Sequence, residues 1–407
     1  MEKTEGGVTA AKGFMAAGVA AGIKYTDRKD VAMIFSESPA TVAGMFTSNV
    51  VKAAPVLYDM DIVSSSPFVQ AVVANSGIAN AATGKDGMDI CRKTAEAAAA
   101  ALDIPENAVL IGSTGVIGEL IDVKKLETAV KELSQSLSDT RQAAADAEAA
   151  IMTTDTVPKE VAVRVSIGGR TVTVAGMSKG SGMIHPNMCT MLAYICSDCN
   201  ISKEMLEKCV HTDIPDTFNM ITVDGDTSTN DTYLLMCNGR ADNPLIDGPG
   251  DDYDAFFAAV HYVNTHLARA MAKDGEGANR LFEVTVKNAD TKENARKLAR
   301  SVAGSSLCKA ALFGCDSNFG RVLCALGYSG ADFDPEKVSI DYKSSAGAIN
   351  VFCAGHKTGY SEEEATAILS KDEVTYIIDM NEGEETATAW GCDLSYDYVK
   401  INADYRS

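Results

Sequence analysis

Positive charge is scarce in this chain: 36 lysines and arginines stand against 56 acids, a formal net charge of −20. Holding phosphates needs a dense basic face, so nucleic acid is excluded as the expected partner. Long apolar runs are missing as well. No window approaches the roughly eighteen residues of a membrane span. The small-residue stretch near the start, "VTAAKGFMAAGVAAGI", follows Glu2 and Glu5 and is interrupted by Lys12, which is wrong for an export signal. A cytoplasmic protein with no membrane partner is expected. Eleven cysteines, odd in number and scattered, suit a reducing compartment better than a disulfide framework. A single CxxC, Cys196 and Cys199, lacks the second pair that would complete four zinc ligands, and the five histidines are dispersed. Structural thiols and no metal are the reading.

What is present is ordinary globular material, 46% hydrophobic over 407 residues. Apolar, β-branched runs bounded by turn residues predict strands over 30–38, 41–49 and 68–77. An Ala-rich helix over 87–104 is followed by a strand "NAVLI" that runs into the glycine turn "GSTGVIG". Two further helices, 122–137 and 139–152, each carry an Asp near the start as N-cap candidate. Alternation on both sides of Gly168-Gly169 predicts a β-hairpin whose second strand delivers Lys179. A strand over 191–198, a long helix over 251–275, a strand over 282–288, a helix over 291–306 and three late strands complete the pattern. Strands and helices without regular βαβ alternation predict an α+β fold of layered mixed sheets with helices on the outside, and no linker marks a boundary.

Four segments are poor packing material: "GSTGVIG", "TTDT", "KGSGMIHPNMCT" and "DGEGANR". Small and hydroxyl residues let a backbone come close to a ligand. None matches a phosphate-binding signature. Thr190, after Cys189, is the most informative residue. A threonine hydroxyl attacks only when a base takes its proton, and no Ser-His-Asp or Cys-His order lies nearby. A free α-amine on the same residue would serve, with a reference pKa of about 7.7–8.0. Such an amine requires a cut between Cys189 and Thr190.

The run "GMSKGSGMIHPNMCTML" resembles the self-cleavage segment of the ornithine acetyltransferase, or glutamate N-acetyltransferase, family of arginine biosynthesis. "GGVTAAKGFMAAGVAAGIK", "GSTGVIG", "IMTTDTVPKEV", "GDTSTNDT", "DGEGA", "ALGYSG" and the tail "INADYRS" extend the resemblance over nearly the whole chain. It implies an N-terminal nucleophile enzyme, with an aminopeptidase-like fold, that splits into fragments 1–189 and 190–407 which fold together. A dimer of such pairs is expected. The resemblance implies Thr190 as nucleophile and Thr114 with Gly115 as oxyanion hole. Thr153, Lys179, Thr190, Glu276, Asn402 and Ser407 are implied as substrate contacts. N2-acetylornithine would give its acetyl group to glutamate through an acetyl-threonine. No cofactor is implied, and acetyl-CoA stays open as an alternative donor. The competing expectation is an N-terminal nucleophile amidohydrolase with water as acceptor; a non-catalytic amino-acid binding protein would leave Thr190 uncut.

Overall fold

The computed structural model describes residues 1–185 and 191–403, so Cys189, Thr190 and Ser407 lie outside the described residues. The chain divides into two compact units. The first comprises Met1–Gly180, Asn187–Ile214 and Thr227–Leu267, the second Ser181–Pro186, Pro215–Asp226 and Ala268–Ser407.

The first unit is built on a nine-stranded mixed sheet. Its strands are β1 (Glu2–Thr4), β2 (Phe14–Val19), β3 (Val31–Phe46), β4 (Val69–Asn75), β5 (Val109–Ser113), β6 (Glu160–Ile167), β7 (Arg170–Lys179), β8 (Leu192–Ser197) and β9 (Thr232–Cys237). They run in the order β1-β6-β7-β8-β9-β3-β4-β5, with β2 beside β3. Its helices are α1 (Ala54–Ser65), α2 (Gly84–Leu102), α3 (Val123–Ser136), α4 (Arg141–Ile151) and α5 (Lys203–Asp213), and it takes in most of α6 (Asp251–Lys273). The central strands are buried on both faces, and alternate residues enter different cores. Val72, Ala74 and Leu110 pack with Ala144, Ala147 and Ile151 of α4. Ala71, Val73 and Ile111 pack with Ala95, Ala98 and Leu126 of α2 and α3.

The 30–38 and 41–49 runs, expected as two strands, form the one strand β3. Its first half pairs with β2 and β4 and its second half with β9, with a register shift between Phe35 and Ala40. Pro39, which has no N–H to give a ladder, sits in that shift. The hairpin is as expected: Ile167 pairs with Arg170, and Gly168 and Gly169 both have positive φ, +54° and +74°. Asp122 caps α3 by accepting from the Lys124 N–H, but α4 is capped by Thr140 rather than Asp139.

The second unit carries a six-stranded mixed sheet in the order β13-β12-β11-β14-β10-β15. The strands are β10 (Leu281–Ala289), β11 (Ser339–Ser344), β12 (Gly347–Cys353), β13 (His356–Lys357), β14 (Glu373–Asp379) and β15 (Glu385–Cys392). Its helices are α7 (Lys292–Ala303), α8 (Ser306–Phe313), α9 (Phe319–Gly327), α10 (Glu362–Leu369) and α11 (Tyr396–Ala403). In α7, Ala295, Leu298, Ala299 and Val302 form the buried stripe, at helical spacing. The α+β class with mixed sheets is therefore as expected. The chain passes between the units five times, the last time inside α6 between Leu267 and Ala268, so no single linker marks the division in the sequence. No helix among the described residues is long and apolar enough to cross a membrane.

Candidate active site

Thr114 and Gly115 leave the end of β5 in the first unit. The Thr114 N–H donates to the Asn75 carbonyl at 3.0 Å, and the Val116 N–H to the Gly77 carbonyl at 3.0 Å. The turn thus runs alongside residues 77–81 and is fixed by the sheet. Gly115 has φ +131°, and a Cβ there would lie 2.2 and 2.3 Å from the Gly77 carbonyl carbon and oxygen. Only glycine fits. Thr114 is buried, and neither its hydroxyl nor the Gly115 N–H has a partner among the described residues.

Lys179 closes β7 and is 3% exposed, so it is not a solvated loop lysine. Its ammonium lies 3.8 Å from Asp155, the acid of the "TTDT" segment. Asp155 also receives Lys159 at 2.7 Å, the Gly180 N–H at 2.7 Å and the Thr153 N–H at 3.0 Å. Burial opposes its ionisation, but Lys179, Lys159 and these donors win and hold its carboxyl well below the usual carboxylate range. Thr153 is tied to this cluster through its backbone, and its carbonyl accepts from Arg28 at 3.3 Å. Sequence reasoning singled out the threonines here and missed Asp155, although it is the only charged residue among the four.

In the second unit, Glu276 is buried, not a surface turn acid. Its backbone N–H donates to the Ser181 carbonyl at 2.8 Å, and its carboxylate accepts from the Asn402 amide at 2.7 Å. A Cβ on Gly182 would come within 2.3–2.5 Å of the Glu276 carboxyl atoms, so the second glycine of "KGSG" makes room for that acid. α11 brings Asn402 to Glu276, and the Ser395 hydroxyl donates to the Gly277 carbonyl at 2.6 Å, securing the approach to α11. Asp224 accepts from the backbone N–H groups of Met183 and Ile184.

The quoted motif "GDTSTNDT" received no role from sequence, yet it contacts two of the other motifs within the first unit. Asn230 donates to the Ser113 carbonyl at 2.8 Å and the Ala79 carbonyl at 2.7 Å. Asp231 accepts the Met191 N–H at 3.1 Å. Cys196 and Cys199 are buried free thiols whose ionisation burial suppresses.

Comparison with known proteins agrees with this set of motifs. The ArgJ family model matches residues 15–407. The arginine biosynthesis bifunctional protein ArgJ of Caldanaerobacter subterraneus is 47% identical over 407 residues, covering 100% of both chains. That of Symbiobacterium thermophilum is 48% identical over 409 residues, again covering 100% of each. A crystal structure of the Bacillus halodurans protein of that name is 41% identical, covers 52% of this chain and 97% of that one, and has a TM-score of 0.49. This chain belongs to the ArgJ family.

Proposed function

We propose that this chain moves the acetyl group of N2-acetylornithine to glutamate through an ester on Thr190, after cutting its own backbone between Cys189 and Thr190. The observation that carries this reading is the full-length identity of 47% to a bifunctional arginine-biosynthesis protein. An acetyltransferase role in arginine biosynthesis goes with the family. The word "bifunctional" in the relatives' names supports acetyl-CoA as a second donor, so that the same site would also make N-acetylglutamate.

In maturation, the Thr190 hydroxyl attacks the Cys189 carbonyl, the C–N bond breaks, and the amine leaves protonated. Water then hydrolyses the ester, giving a Cys189 carboxylate, a free hydroxyl and a free α-amine. β7 and β8 pair from Val174↔Ser197 to Lys179↔Leu192, and in the sequence the junction falls between these two strands. A cut at that bond removes none of the ladder's backbone hydrogen bonds, which supports fragments that stay associated.

In transfer, the α-amine takes the hydroxyl proton as oxygen attacks the acetyl carbonyl. Thr114 and Gly115 donate to the developing oxyanion; loss of one such donor typically costs about 3–4 kcal/mol of transition-state stabilisation. Ornithine leaves with the proton, and the glutamate amine then attacks the ester. Lys179 holds the α-carboxylate that both substrates share, Glu276 pairs with the ornithine side-chain ammonium, and Thr153, Asn402 and Ser407 complete the contacts.

The test incubates purified protein with N2-acetylornithine and glutamate and assays ornithine, N-acetylglutamate and acetate. Equal ornithine and N-acetylglutamate are expected, with N-acetylglutamate also formed from acetyl-CoA plus glutamate. Acetate released in place of N-acetylglutamate would make the protein a hydrolase. Absence of product from acetyl-CoA would remove the second donor.

A further inference from the structure

The segment Thr227–Asp231 is held along its length. The Thr47 hydroxyl donates to the Ser228 carbonyl at 2.6 Å, the Asn49 amide to the Thr227 carbonyl at 2.9 Å and the Ala53 N–H to the Thr229 carbonyl at 2.9 Å. The Thr47 N–H donates to the Asp231 carbonyl at 3.1 Å. From this braced backbone two adjacent side chains reach in different directions. Both amide hydrogens of Asn230 are used, on Ser113 and Ala79, and its oxygen accepts from the Thr229 hydroxyl at 2.7 Å, so the amide cannot turn. Asp231 is fully buried; one oxygen takes the Met191 N–H, and the other has no hydrogen-bond partner among the described residues. Met191 is held on its other side too, because its carbonyl accepts the Thr232 N–H at 3.0 Å.

The chemistry of the held groups is informative. Ser113 precedes Thr114, and Met191 follows Thr190. Neither Ser113 nor Met191 reacts, yet each is one peptide bond from a residue that must be placed accurately. We propose that Asn230 and Asp231 are positioning residues that set the spacing between oxyanion donors and nucleophile, Asn230 through the Ser113 carbonyl and Asp231 through the Met191 N–H. This rests on the proposed function above and deepens it. The parallel register of β8 and β9, Leu192 opposite Thr232, starts beside these two anchors. Packing alone would be better served by apolar side chains at a strand entry, since a buried carboxylate is costly to keep. Burial holds the Asp231 carboxyl well above the usual carboxylate range and so favours its neutral form, against the pull of the Met191 N–H, the Lys179 charge and the Thr47 and Ser228 hydroxyls. An amide at this position can therefore copy the acceptor.

The test compares Asp231→Ala, Asp231→Asn, Asp231→Glu and Asn230→Ala with the wild-type full chain. It measures cleavage on denaturing gels, melting temperature, and kcat and KM per titrated active site with N2-acetylornithine and glutamate. A displacement of about 1 Å can cost a hundredfold in rate. Asp231→Ala should lower kcat about a hundredfold with both KM values little changed, and Asn230→Ala should do likewise. Asp231→Asn should stay within about tenfold of wild type, because its oxygen still accepts the N–H, without the charge. A wild-type kcat in Asp231→Ala, whatever its melting temperature, would overturn the proposal, as would an Asn variant no better than Ala. If Asp231→Ala is insoluble, Asp231→Glu decides: a longer arm should lower kcat at least about tenfold, and an unchanged kcat overturns the proposal. A wild-type chain that neither cleaves nor transfers acetyl fails the functional reading itself, and this inference falls with it.

Discussion

Replacing Asp155 by Asn removes the carboxylate that faces both Lys159 and Lys179 while keeping the side chain's size. Lys159 and Asp155 are 2.7 Å apart with both side chains fully buried, and Lys179 is 3.8 Å away. At an effective dielectric of about 20, a pair near 4 Å attracts by about 4 kcal/mol, most of which offsets the cost of taking the charges out of water. Removing one partner leaves that cost standing, so the expected destabilisation is about 3–5 kcal/mol. For a unit of about 250 residues it corresponds to a drop in melting temperature of about 6–10 °C. The loss depends on pH. The folded pKa of Asp155 is depressed, so its contribution is full above the unfolded value of about 3.9 and declines as pH falls through the lower folded value. Wild type and variant should therefore converge only as the pH drops below about 4. Scanning calorimetry at neutral pH, and again in acid, reads both effects. Adding Lys159→Met to the Asn variant should restore at least half of the lost stability, since a cation then no longer lacks its counter-charge. A fall under about 2 °C for Asp155→Asn, or a strictly additive double variant, would refute the buried-cluster argument.

Three further outcomes follow from the site. Lys179→Met should cleave normally and raise KM for both N2-acetylornithine and glutamate, as steady-state kinetics would show; a rise confined to one substrate would contradict a shared α-carboxylate contact. Thr114→Ala should lower kcat by about a hundredfold or more with little change in KM. If the cleaved variant instead keeps its turnover and only KM weakens, Thr114 binds the ground state. Glu276→Gln keeps an acceptor for Asn402 but loses the charge, so KM should rise for N2-acetylornithine and not for glutamate; equal rises would remove the ammonium contact.

Several features were readable because a single local rule decides them. Gly168-Gly169 requires positive φ at both positions and so fixes the hairpin. The small residues of "GSTGVIG" mark a close backbone approach, which the Gly77 carbonyl beside Gly115 accounts for. Other features depend on partners distant in sequence. β3 reads as two strands because its interruption at Ser36–Pro39 is locally a turn, and only its pairing first with β4 and then with β9 makes it continuous. α1 escaped notice because its apolar residues do not keep to one stripe: Leu57 and Met60 are exposed while Asp59 is buried, accepting the Ile111 N–H at 2.8 Å. Burial of Lys179 and Glu276 likewise could not be read locally, since charged loop residues are usually solvated. It took Asp155, 24 positions upstream of Lys179 in the chain, and Asn402 on a terminal helix, to show why each is held.

The central claim is that Thr190 becomes the chain's new N-terminus and carries the acetyl group. The direct measurement is mass spectrometry of the purified protein after brief exposure to N2-acetylornithine without glutamate, with peptide mapping of the fragment that begins at residue 190. The account predicts two fragments joined at no covalent bond, one acetyl group on the Thr190 side chain, and loss of that group when glutamate is added. An intact chain with full transfer activity, or an acetyl group on any other residue that glutamate discharges, would contradict it.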